Sequence, residues 1–167
     1  MISKYLTKKF YISSTIVFFI FFLDRISKSY VINLDKLNYS SELYKSKFLN
    51  INLIWNEGIA FGLLSFDQGN LYNLISLLIA IIIVIVFFMI IKNNNIKRYP
   101  LLMIFAGAIG NLYDRITFKA VPDFIDFHIG EFHWFIFNVA DIFISVGVIF
   151  MIFFELIGNS NTDHETV

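Results

Sequence analysis

Cysteine is absent from this chain of 167 residues. That absence excludes disulfides, thiolate metal centres and a cysteine nucleophile. Charge is scarce as well: Asp, Glu, Lys and Arg make up 16% of the chain, and their formal sum is zero. No basic stripe runs along it, so no nucleic-acid partner is expected. Two prolines and eight glycines mark no clear hinge. Neither a repeat nor a second domain is evident. What the chain has in abundance is apolar surface. Hydrophobic residues reach 57% and the mean hydropathy is +0.71, values of a polytopic membrane protein.

Four apolar stretches read as membrane-spanning helices, at about residues 10–31, 71–91, 100–116 and 136–157. Each is about long enough to cross a hydrocarbon core of ~30 Å at 1.5 Å per residue. The second carries no charge at all. The third opens at Pro100, a residue favoured in a first turn, and fades at Asp114-Arg115. The first follows Lys8-Lys9, but no small-residue cleavage site comes after it. It is therefore expected to be a retained helix rather than a cleaved signal peptide. Lys4, Lys8 and Lys9 precede the first span, and Lys92, Lys97 and Arg98 join the second to the third. Both basic segments, and with them both termini, are expected in the cytoplasm. Residues 32–70 and 116–134 then lie outside, and 158–167 form an acidic tail. Within the outer segments "FLNINLIW" alternates as a strand does, and "DFIDFHIGEFHWF" reads as a hairpin turning at Gly130 on the membrane surface. The expected fold class is a membrane all-α protein with minor β, one polytopic domain over 1–167.

The polar residues gather at one membrane face. Asp24 and Lys28 end the first span, and "NEGIAFG" (56–62) comes just before the second. Asn111, Asp114 and Arg115 end the third, Asn138 and Asp141 begin the fourth, and Asp123 falls in the connecting loop. Counted along the helices, Asp24 and Asp114 lie roughly 9 Å, and Asp141 about 10 Å, below the outer surface. Simpler roles exist for each residue alone. Asn138-x-x-Asp141 has the spacing of a reciprocal N-cap, and a carboxylate suits the positive end of a helix dipole. Asp24 and Lys28 stand at i, i+4 and can neutralise each other. Arg115 suits a helix C-terminus and is expected to snorkel outward. Asp114 gains nothing there and needs a cationic or amide partner. Capping does not explain why all of these groups converge.

Two carboxylates held close together cannot both ionise easily, so they share a proton. One then takes a proton from water while the other protonates or hydrogen-bonds a carbonyl, and a peptide bond is hydrolysed without metal or covalent intermediate. Asp141 is one candidate; spacing leaves its partner open among Asp24, Asp114, Asp123 and Asp126. A serine mechanism lacks its base, because no histidine is placed by spacing to activate Ser145. His128, Glu131 and His133 offer metal ligands, but not in the helical H-E-x-x-H pattern. A solvated hairpin tip is the plainer reading, and neither metal nor cofactor is expected.

Five ordered motifs carry a likeness: "DRISK" (24–28), "NEGIAFG" (56–62), "GNLYDR" (110–115), "VPDFI" (121–125) and "FNVAD" (137–141). Together, on four spans, they make the chain resemble the lipoprotein signal peptidases (signal peptidase II), aspartic peptidases of the bacterial cytoplasmic membrane. The resemblance implies that Asp123 and Asp141 are the catalytic pair. It implies substrate-contacting or supporting positions at Asn56, Gly58, Asn111, Arg115, Asn138 and Ala140, with Asp24, Lys28 and Asp114 as supporting polar residues. Glu57, Pro122 and Val139 fall where the pattern varies, and the tail after Ile157 lies outside it. The outer segments would correspond to a small β-cradle and a loop flanking the site. The implied partners are membrane lipids and a prolipoprotein signal peptide whose lipobox cysteine carries diacylglycerol, cut just before that cysteine at the outer face.

Two other classes also place acids in membranes. A small transporter or proton-handling protein would hold them near the midplane or along a path, whereas the inner half of each span here is nearly bare of charge. A non-catalytic assembly factor would use the polar layer only to pack helices.

Overall fold

The computed structural model describes residues 2–38, 42–57 and 68–160. The elements in order are α1 (Ile2–Asn38), β1 (Glu42–Lys45), β2 (Leu49–Asn56), α2 (Gln68–Lys92), α3 (Arg98–Phe118), β3 (Val121–Ile129), β4 (Phe132–Phe137) and α4 (Val139–Ser160). All four helices are long and apolar enough to cross a membrane. The β-branched run "IAIIIVIV" in α2 has a strand's composition. A spanning segment must satisfy its backbone internally, so hydrocarbon overrides that local preference and makes it a helix.

Helix α3 is the centre of the bundle. It packs against α1, α2 and α4, whereas α1 and α2 hardly meet. Its buried residues include the small Ala106, Gly107, Ala108 and Gly110. A Cβ at Gly107 would stand 2.5 Å from the carbonyl oxygen of Ala140, so α3 and α4 meet backbone to backbone. Asn111, one turn further along α3, is thereby carried to the start of α4. A separate apolar cluster of Val86 and Ile90 from α2 with Leu101 and Leu102 from α3 fixes the other end of the bundle.

Helix α1 has 37 residues, about 55 Å at 1.5 Å per residue, well beyond a ~30 Å hydrocarbon core. Near its end Val31 and Ile32 pack against Leu53 of β2 and Phe124 of β3. The two segments that link the helix pairs share one antiparallel sheet, in the order β1-β2-β3-β4. Pro122 pairs with Trp55 of β2, and β4 joins β3 only from Ile125 onward. The missing N–H of Pro122 therefore breaks no ladder on that side. Gly130 turns the β3–β4 hairpin with φ 60°, the left-handed region that favours glycine. One expectation is corrected here. Asp123 lies not in a loop but on β3, opposite Ile54 of β2, because the strand begins three residues after α3 ends. Gly58 and most of "NEGIAFG", like residues 161–167 of the tail, lie outside the described residues.

Candidate active site

The site rests on a neutral charge cluster between α1 and α3. Lys28 Nζ lies 2.9 Å from Asp24 Oδ1 and 2.7 Å from Asp114 Oδ2. Arg25 pairs with the same two acids: Nη2 is 2.7 Å from Asp114 Oδ2, and Nη1 binds Asp114 Oδ1. Nη2 also bonds Asp24 Oδ2. The guanidinium stacks over Tyr113 at 4.9 Å and reaches Phe21 at 5.6 Å. Asp24, Asp114 and Lys28 are almost wholly buried. Two carboxylates facing two cations cancel in net charge, which is what allows ions to persist at this depth. The cluster also reaches α4, since Asp24 Oδ1 accepts the N–H of Ala140 at 3.1 Å.

From this base a hydrogen-bond relay leads to two further acids. Lys28 donates to Asn111 Oδ1 at 2.9 Å, and Asn111 Nδ2 donates to Asp141 Oδ1 at 2.7 Å. Asn138 caps α4 reciprocally: Asp141 N–H donates to Asn138 Oδ1 at 3.2 Å, and Asn138 N–H donates to Asp141 Oδ2 at 3.1 Å. The same Asn138 side chain donates through Nδ2 to Asp123 Oδ1 at 2.6 Å. Asn56 of β2 donates to the other oxygen of Asp123 at 2.9 Å. One asparagine thus holds Asp123 of the sheet and Asp141 of the bundle, as cap for the second and donor to the first.

Asp123 is buried, at 4% exposure. Burial pushes its carboxyl up to about 6; the donors Asn56 and Asn138 oppose the rise, and the nearby charge of Asp141 adds to it. A carboxyl that keeps its proton up to about pH 6, beside a second carboxylate, supplies an acid and a base at one place.

Of the residues singled out in the sequence, Asp24, Lys28, Asn56, Asn111, Asp114, Asp123, Asn138, Ala140 and Asp141 join this one network. Asp126 does not; it turns to His133 and Asn50 instead. Arg115 does not snorkel. It is 8% exposed and lies over the ring of Tyr72 at 5.6 Å, while Tyr72 donates its hydroxyl to the Arg115 carbonyl at 2.6 Å. An aromatic face from α2 gives the guanidinium an inward home that water would otherwise supply. Arg115 Nε and Nη1 have no hydrogen-bond partner among the described residues. His128 is not part of a solvated tip either: it is buried, whereas Glu131 is exposed. Arg25 was not singled out. Its signal was a charge count, because Asp24 and Asp114 need two cations and Lys28 is one.

Residues 16–157 match the family model described as Signal peptidase (SPase) II. The chain is similar to the lipoprotein signal peptidase of Pelagibacter ubique (strain HTCC1062), 48% identical over 95% of each chain. It is 34% identical to that of Anaplasma marginale (strain Florida), over 82% of this chain and 79% of the relative. A bacterial membrane enzyme solved in meso at 1.9 Å superposes with a TM-score of 0.70 and 31% identity, covering 86% of this chain and 91% of that one.

Proposed function

The chain belongs to the signal peptidase II family, and from that premise we propose that Asp123 and Asp141 are the pair by which this bacterial multi-pass membrane protein cuts signal peptides from prolipoproteins. The observation that carries the pair is Asn138, hydrogen-bonded to both acids at once. The two carboxyls share one proton and titrate together. The ionised member takes a proton from a water molecule as it attacks the scissile carbonyl. The protonated member gives its proton to the carbonyl oxygen, forming a tetrahedral diol. The C–N bond then breaks as the first member's proton passes to the amine nitrogen and a diol hydroxyl returns a proton to the second, restoring the shared proton. No covalent intermediate forms. Asn111 and Asn138 orient Asp141, Asn56 and Asn138 orient Asp123, and the neutral cluster of Asp24, Arg25, Lys28 and Asp114 holds the helices that carry them. Arg115, whose Nε and Nη1 are buried without a hydrogen-bond partner among the described residues, supports the site from α3.

The substrate that the family implies suits the expected depth of the site. A bond cut just before a diacylglyceryl-cysteine lies near the headgroups, with its acyl chains in the leaflet and its signal helix against the spans. Binding then draws on apolar contact, about 0.8 kcal/mol per buried methylene. The exposed Ile129, Phe132, Trp134 and Phe135 of the hairpin suit contact with that same leaflet. The distribution of basic residues supports termini in the cytoplasm and the sheet outside.

The test is cleavage by purified wild-type protein in detergent, with one prolipoprotein offered in lipidated and unlipidated form. Cleavage of the lipidated form just before its cysteine, with little or none of the other, is expected. Equal cleavage of both refutes lipid recognition. Cleavage of neither refutes the peptidase reading.

A further inference from the structure

The β3–β4 hairpin gathers three ligand-bearing side chains that the aspartate pair does not use. His128 and His133 are cross-strand partners, and their rings stack 5.0 Å apart. His133 Nδ1 lies 2.9 Å from both carboxylate oxygens of Asp126, and Asn50 Nδ2 donates to Asp126 Oδ2 at 3.2 Å. One ligand atom from each of Asp126, His128 and His133 lies within 4.8 Å of the other two. Asp126 is 1% and His128 8% exposed. The Nδ1 of His128 is buried without a hydrogen-bond partner among the described residues. A buried ring nitrogen in that state is unfavourable, and a bound ion relieves it either as its ligand or by fixing the ring.

We propose that Asp126, His128 and His133 form a site for a divalent transition metal of the zinc class. Two imidazoles and one carboxylate oxygen, with water as the fourth ligand, make a tetrahedral set of the kind zinc takes. Ligand atoms about 2.0–2.1 Å from zinc stand roughly 3.4 Å apart, so the present spread closes by rotation of His133, whose ring is half exposed. Asn50 holds the carboxylate from outside, as the partners of metal ligands do. The ion clips β4 to β3 and, through Asn50, to β2. It does so three residues along the strand from Asp123 and takes no part in peptide hydrolysis.

The experiment uses untagged full-length protein in detergent, stripped with a chelator. Zn2+ is titrated by calorimetry, Co2+ is added for its visible spectrum, and thermal midpoints are read with and without Zn2+. One equivalent bound, tetrahedral Co2+ bands and an upward shift in midpoint are expected. Affinity should fall at least ~10-fold in His128→Gln and in His133→Ala. It should be unchanged in His164→Ala, which removes the third histidine of the chain. No binding, an octahedral Co2+ spectrum, affinity unchanged in the hairpin variants, or affinity lost with His164 overturns the proposal. If His128→Gln fails to fold, the wild-type Co2+ spectrum and His133→Ala, at a half-exposed ring, decide in its place.

Discussion

Four ions in the bundle depend on one another. Arg25→Gln leaves Asp24 and Asp114 facing Lys28 alone, an uncompensated buried charge that costs about 3–5 kcal/mol. We expect a marked fall in the thermal midpoint in detergent, largely restored in Arg25→Lys; a midpoint within a degree of wild type for Arg25→Gln contradicts the charge balance. Asp123 adds a pH dependence. Its carboxyl is raised from the ordinary 3.8 to about 6 by burial, so between those values the folded protein binds a proton that the unfolded chain has released. Stability from this group is therefore full below pH 4 and declines as pH rises through 6, by about 3 kcal/mol in all. Wild type should lose thermal stability across that interval relative to Asp123→Asn; parallel curves contradict the raised value. Cleavage should likewise fall as the shared proton is lost near pH 6. Asn56→Ala, which removes a donor to the ionised form, should move that fall to higher pH. The sequence revealed Asp141 through its place in an apolar run. It did not reveal Arg25, because an ion among ions carries no periodic signal and only a count of opposing charges exposes it.

At the level of elements, the helices were legible because hydrocarbon leaves the backbone no alternative; the apolar runs alone marked them. The sheet was half legible. "FLNINLIW" alternates and became β2, and Gly130 marked its hairpin. The start of β3 at Val121 carried no sequence signal, because Pro122 stands inside the strand, opposite Trp55 of β2. That strand lifts Asp123 to the level of α4, where the cap residue Asn138 meets it. Contact between α3 and α4 sets the other half of the site. Gly107→Leu forces the helices apart at the Ala140 carbonyl and should separate Asn111 from Asp141. We expect insertion to survive and cleavage to drop at least ~10-fold; an unchanged rate contradicts the role of this close approach. On the proposed two-aspartate mechanism chelation should leave cleavage intact; activity lost on chelation and restored by zinc contradicts that mechanism.

For the whole molecule, orientation was read from lysines and arginines, which mark loops rather than helices. The absence of cysteine makes the reading testable, because an introduced thiol is the sole maleimide target within this chain. A membrane-impermeant maleimide applied to intact cells should label Lys45→Cys and Glu131→Cys, and should label Asn95→Cys only after the membrane is opened; the reverse pattern inverts the topology. Orientation, depth and the sheet all serve to bring an acid on β3 to an acid on α4 through Asn138. The most direct measurement is single-turnover cleavage of a lipidated prolipoprotein by purified Asp123→Asn and Asp141→Asn beside wild type. Each variant should keep its helical circular dichroism and lose at least ~10²–10⁴-fold in rate; a near-wild-type rate from either contradicts the shared role of the two aspartates.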